Sequence, residues 1–84
     1  MELIFAKQFA RDYAGLNQDI RKQADKKLGL LLNDIRHPSL RVKKLKGQPD
    51  IYEASVNMKY RFLFQIIGDA YLILRVGKHD ILEK

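Results

Sequence analysis

The sequence contains no cysteine, which removes disulfides, thiolate nucleophiles and cysteine-ligated metals together. Its two histidines, His37 and His79, are far apart and lack the spacing of helical ligands, so neither a metal nor any other cofactor is expected. Glycine is sparse, and Gly47 and Gly77 stand alone instead of forming a phosphate-cradling loop. Asp69 and Asp80 read as turn residues, not as a catalytic carboxylate pair, and no side-chain nucleophile stands out. No apolar run approaches the length of a membrane span. Met1 to Phe5 is too short for the apolar region of a secretory leader. The expectation is a soluble protein of the cytoplasm with no membrane partner. Repeats, low-complexity stretches and linkers are also missing. The 84 residues, 46% of them hydrophobic, are therefore expected to form a single domain, 1–84, near the lower size limit for an independent core.

Acid is missing from one place in particular. The formal net charge of +6 comes from 16 basic and 10 acidic residues. Residues 36–48 hold five of the basic residues and no acid, while the flanking segments are nearly balanced. Such a segment attracts polyanions, because neutralising phosphates releases counterions. An acidic protein partner would satisfy the same charge, and so would plain solvation.

The apolar spacing changes period along the chain. MELIFA alternates as a short strand. KQFARDYAGL then places Phe9, Tyr13 and Leu16 at helical spacing, with Gly15 as a stop and Asn17 as the N-cap of a second helix. Ile20, Ala24, Leu28, Leu31 and Ile35 form one stripe of that helix, which Pro38 is expected to end. His37 then reads as a residue at the negative end of the helix dipole. The lysines on the other faces fit a solvated surface better than a second nucleic-acid surface. Beyond Pro38 the period is two. A weak strand covers residues 41–45. IYEASVNM points Tyr52, Ala54, Val56 and Met58 inward, and YRFLFQII points Tyr60, Phe62, Phe64 and Ile66 inward. Gly68-Asp69 suits a two-residue type II′ turn. AYLILRVG then returns with Leu72, Leu74 and Val76 inward, and Tyr71, Ile73 and Arg75 outward. The fold class expected is α+β, with helices on one face of a largely antiparallel meander.

On that reading Arg61, Gln65 and Arg75 project from the sheet face without helices, beside Glu53 and Ser55 of the preceding strand. His79 stands at the rim, and the basic segment forms another side. Guanidiniums match phosphate oxygens through paired donors. A histidine beside them is the side chain best suited to move a proton near neutral pH. The surface is thus phosphate-directed, and RNA brings its own nucleophile in the 2′-hydroxyl. Competing readings are an Arg61–Glu53 pair across neighbouring strands and a cross-strand ion pair for Arg75. Tyr52 and Tyr60 read as core or edge aromatics. An outward Tyr71 offers a base-stacking ring.

Leu45-Lys46-Gly47-Gln48-Pro49-Asp50-Ile51-Tyr52, Lys59-Tyr60-Arg61-Phe62, Gln65-Ile66-Ile67-Gly68-Asp69 and Val76-Gly77-Lys78-His79-Asp80 occur in an order and spacing that resembles the RelE/ParE superfamily of type II toxins. The resemblance covers essentially the whole chain. It implies a β-α-α-β-β-β fold, with two N-terminal helices on one face of a small, mainly antiparallel twisted sheet. It also implies a ribosome-dependent endoribonuclease that cuts mRNA in the decoding site without metal. By that resemblance Arg61, His79 and Glu53 are the catalytic candidates. Arg61 matches the phosphate-contacting arginine, and His79 stands where ribonuclease members carry an arginine or a histidine. Arg41, Lys43, Lys44, Lys46, Arg75 and Lys78 are the RNA-binding candidates. The implied partners are a cognate antitoxin covering the helices and the open sheet edge, mRNA on the ribosome, and operator DNA through the antitoxin.

The chain departs from the pattern in two ways. Glu53 and Ser55 occupy positions where ribonuclease members carry catalytic lysines. The terminus, Ile81-Leu82-Glu83-Lys84, lacks the family's frequent aromatic residue. Two alternatives follow: a gyrase inhibitor of the ParE branch, or a degenerate toxin that only binds antitoxin and co-regulates its operon.

Overall fold

The computed structural model describes residues 1–82. In chain order the elements are β1 (Glu2–Phe5), α1 (Lys7–Ala14), α2 (Gln18–Asn33), a 3-10 turn (Pro38–Leu40), β2 (Lys43–Lys44), β3 (Tyr52–Ser55), β4 (Tyr60–Ile67), β5 (Ala70–Lys78) and α3 (His79–Leu82). The sheet order is β1-β5-β4-β3-β2. β1 lies parallel to β5, and every other pair is antiparallel. The expected α+β layering is therefore present, with a fifth strand, β2, at one edge and a short third helix after β5.

Asn17 caps α2 as its residue type predicts: its side-chain oxygen accepts the Ile20 N–H at 2.9 Å, satisfying a donor the helix cannot. Ala24, Leu28 and Leu31 bury the α2 stripe against Phe9, Phe62, Phe64, Ile73, Val76 and Leu40, so one core runs between the helices and the sheet. α2 stops at Asn33, well before Pro38. Asp34 leaves helical geometry, and its side chain accepts the Arg36 N–H at 3.0 Å, a local bond that competes with the helix. Pro38 instead opens the 3-10 turn, where its fixed φ and missing N–H fit. His37 caps that turn, its Nδ1 accepting from Ser39 N–H at 3.2 Å, and does not end α2. Arg41 follows in left-handed conformation (φ 49°) and lies outside the strand expected for it.

Two corrections concern side-chain direction. β3 ends at Ser55, and residues 56–59 form a turn that leaves Met58 78% exposed, not inward. In β5 the expected inward set fails before Val76. Leu63 pairs with Arg75 while Phe64 pairs with Ile73, so Leu74 is an extra, bulged residue. The bulge inverts the alternation. Tyr71 and Ile73 are buried with the core, whereas Leu72 and Leu74 are only half-buried. Ile66, expected inward, is exposed at the far end of the hairpin. The turn there has positive φ at Gly68 but not at Asp69, the signature of type II′. Among the described residues no helix is long and apolar enough to cross a membrane.

Candidate functional site

Strand register places Lys43, Glu53, Ser55, Arg61, Leu63 and Gly77 on the sheet face away from α1 and α2, since Lys43 lies opposite Glu53, Ser55 opposite Arg61, and Arg61 opposite Gly77. This face is not the open concavity expected. Glu53, Ser55 and Leu63 are buried. α3 folds back over β4 and β5, and its Leu82 lies against Gly77, where a Cβ would meet Leu82 Cδ2 at 3.6 Å. Glycine at 77 leaves room for that roof.

On the same face lies a charged cluster. Glu53 Oε1 is 3.5 Å from Arg61 Nε and 3.7 Å from Lys43 Nζ. Arg61, only 14% exposed in its side chain, also donates through Nη1 to the carbonyls of Tyr60 and Asn57. Among the described residues the cluster sets one carboxylate between two cations. The Arg61–Glu53 pairing read from sequence is therefore present. Glu53, 3% exposed in its side chain, anchors Arg61 from beneath.

Asn57 holds this end of the sheet together, and sequence reasoning passed over it. Its Oδ1 accepts the N–H groups of Lys59 and Tyr60 at 2.8 and 2.9 Å, and its Nδ2 donates to Gln23 Oε1 on α2 at 2.6 Å. Ser55 Oγ donates to the Asn57 carbonyl at 3.0 Å. The available signal was an asparagine between two apolar strands, the side chain that most readily closes a local turn.

His79 lies at the junction of β5 and α3. Its backbone N–H donates to the Lys59 carbonyl at 2.9 Å, fixing the junction against the β3–β4 turn. The side chain is 40% exposed, and Nδ1 stands 3.8 Å from Asp80 Oδ1. With Met58, Lys59, Lys78 and Asp80 it lines a cleft of about 330 Å³. Because Arg61 pairs with Gly77, His79 lies two residues beyond that pair, just past the end of β5, at the same end of the sheet. Lys59 is a rim cation that the sequence reading did not select.

The remaining candidates divide. Arg41, Lys43, Lys44, Lys46 and Lys78 are exposed, mostly around β2. Arg75 is committed elsewhere. Its Nε and Nη2 donate to Asp12 Oδ2 and Oδ1 at 3.0 and 3.1 Å, an ion pair with α1 and not with a neighbouring strand. Burial pushes the Asp12 carboxyl up, but hydrogen bonds from Arg75, Gln8 and the Val76 N–H outweigh it and hold the group below its usual value. Tyr71, expected to face outward, is in the core, its ring edge-on to Phe64 at 5.7 Å. Among the described residues no group of three histidine, aspartate or glutamate side chains is placed to hold a metal.

No protein-family model matches the chain. It is 28% identical over 81 residues to the mRNA interferase toxin RelE of Escherichia coli K12, covering 93% of this chain and 82% of that protein. Among solved structures it superposes on the intact E. coli RelBE toxin–antitoxin complex with a TM-score of 0.71 and 29% identity, over 90% of this chain and 93% of that one. YafQ from E. coli BL21(DE3) is similar in fold, with a TM-score of 0.82 at 14% identity, over 98% and 97% of the two chains.

Proposed function

The chain is a RelE/YafQ-like toxin of the RelE/ParE superfamily, and from that premise we propose that it is a ribosome-dependent endoribonuclease, neutralised by a cognate antitoxin. The observation that carries the reading is the placement of His79. It is half-exposed at the mouth of a cation-rimmed cleft, at the sheet end where Arg61 is held in place. In the reaction the 2′-oxygen of the substrate attacks the adjacent phosphorus and the P–O5′ bond breaks, leaving a 2′,3′-cyclic phosphate and a 5′-hydroxyl. His79 moves the proton to or from these oxygens. Arg61 offers guanidinium donors to the charge that builds on the phosphorane, with Glu53 positioning it. Lys59, Lys78, Lys43, Lys44 and Lys46 hold neighbouring phosphates. No step calls on a metal. The RelE relative is itself an mRNA interferase, and a related toxin was crystallised with its antitoxin.

The same geometry favours one second reading. A buried Glu53 already neutralises part of Arg61, as a phosphate would, which suits a degenerate toxin that binds antitoxin without cutting RNA. Primer extension on a defined mRNA in a purified translation system separates the two. Cuts inside the decoding codon that need ribosomes and disappear in His79→Ala and Arg61→Ala establish the ribonuclease. Intact mRNA beside a folded wild-type protein sinks it and leaves antitoxin binding as the function.

A further inference from the structure

The basic segment does not lie wholly on the face just described. Lys43 pairs with Glu53 on the α3 side of the sheet, whereas Lys44 pairs with Tyr52, whose ring stacks on Phe64 in the core layer. Adjacent strand residues point to opposite faces, so β2 is a ridge with cations on both slopes. On the helix side, Ile35, Pro38 and Val42 floor a cleft of about 430 Å³ that Arg36, His37 and Arg41 also line. Lys27 reaches the same turn from α2, its Nζ donating to the Ser39 carbonyl at 2.9 Å. Burial and then the nearby charges of Lys26 and Arg41 push the Lys27 ammonium below its usual value, so the fold holds like charges together. Asp34, the adjacent acid, uses its side chain on the Arg36 backbone N–H. Arg41 occupies a left-handed conformation that side chains beyond glycine rarely adopt. His37 Nδ1 accepts from Ser39 N–H, which leaves its proton on Nε2 as a further donor.

Given the RNA-directed function proposed above, we propose that this second cleft, on the helix side of β2, binds single-stranded RNA. Arg36 and Arg41 contact phosphates, and the apolar floor takes a base or ribose. A strand crossing the β2 ridge is then gripped from both faces. Crowded cations are unfavourable in the isolated protein and are offset when phosphates arrive. RNA is favoured over an acidic protein because the cationic surface continues around β2 to the Arg61 face. Most of the exposed large apolar residues that a protein interface would bury lie elsewhere, at Met1, Ile4, Phe5, Met58, Ile66 and Ile67.

The test uses the full chain and a 20-nucleotide 2′-O-methyl RNA, which cannot be cleaved, so binding is read without catalysis. Arg36→Gln with Arg41→Gly should bind several-fold more weakly, and its slope of log K against log salt should fall by about 1.4, the loss of two phosphate contacts. Glycine relieves the left-handed strain at 41, so the melting temperature should hold. If it does not, Arg36→Gln with Arg41→Asn, which tolerates that conformation, should show the same loss with the fold intact. Lys7→Gln with Lys22→Gln removes equal charge elsewhere and should change neither quantity. Equal weakening in this control would reduce the effect to net charge and overturn the proposal. Unchanged RNA binding in the cleft variant would overturn it, as would weakened capture of the cognate antitoxin alone, which would assign the cleft to an acidic protein. Absence of mRNA cuts by the wild type would remove the ribonuclease reading while leaving this binding result to stand.

Discussion

Asp12 and Arg75 lie 63 residues apart and are joined by two parallel hydrogen bonds, while the same Asp12 Oδ2 accepts the Val76 N–H at 3.2 Å. β1 pairs with β5 only as far as Ile73, so the edge of β5 beyond that point would otherwise be bare. α1 covers it with one carboxylate. Asp12→Ala should therefore destabilise the fold by about 1–3 kcal/mol, the range for stranding a partly buried donor. Arg75→Ala should destabilise it less, because Arg75 is 41% exposed in its side chain. Urea melts of the two variants check the order.

The Asp12 carboxyl also sets a pH dependence. Its folded value lies below the ordinary 3.8, so its contribution is complete above that pH and is lost as pH falls through the lower folded value. The wild-type urea midpoint should drop below about pH 4, and Asp12→Asn should flatten that part of the curve. A curve of the same shape in the variant would show that other carboxylates control acid unfolding.

Glu53 and Lys43 should behave unequally although they form one pair. Removing Glu53 takes the carboxylate from a largely buried Arg61 and leaves it its backbone carbonyl acceptors, so Glu53→Ala should cost about 1–3 kcal/mol. Lys43 is 58% exposed in its side chain, and Lys43→Ala should cost under about 1 kcal/mol. Thermal denaturation of both variants tests the difference. Similar losses would mean that Glu53 is not the anchor.

Gly77→Ala should be tolerated, since the added Cβ makes an ordinary contact with Leu82. Gly77→Leu should displace α3 while sparing the core between the helices and the sheet. The expected result is a melting temperature within a few degrees of wild type, together with loss of mRNA cleavage. Retained cleavage would separate α3 from the placement of His79.

The helices were readable because their determinants are local. Asn17, the Ala24–Leu28–Leu31 stripe and the Gly68 turn each act through neighbours within a turn or two. The misread positions depend on long-range partners. The bulge at Leu74 appears only once β4 sets the register of β5. Burial of Glu53 depends on Lys43 and Arg61 arriving from separate strands. The bond from Asp12 to Arg75 joins opposite ends of the chain, and nothing near either residue announces it. At the candidate site the sequence pointed to His79 and Arg61, which are indeed at one end of the sheet. Asn57 and Lys59 are not singled out by it, because their parts depend on a turn at 56–59 across most of which the apolar alternation continues.

The bulge makes β5 two half-strands spliced out of phase. Up to Ile73 its odd-numbered residues belong to the interior, and from Arg75 onward they belong to the opposite side. Leu74 therefore works as a reading-frame correction. Flattening the bulge at unchanged length would put Arg75 and Gly77 on the side of Tyr71 and Ile73, sending a guanidinium toward the oily layer and pulling Val76 out of it. Deleting Leu74 would instead keep both halves on their present sides without a bulge. Point changes on either side of the splice can be absorbed separately. A shift that regularised the splice without changing its length would turn one half over against the other.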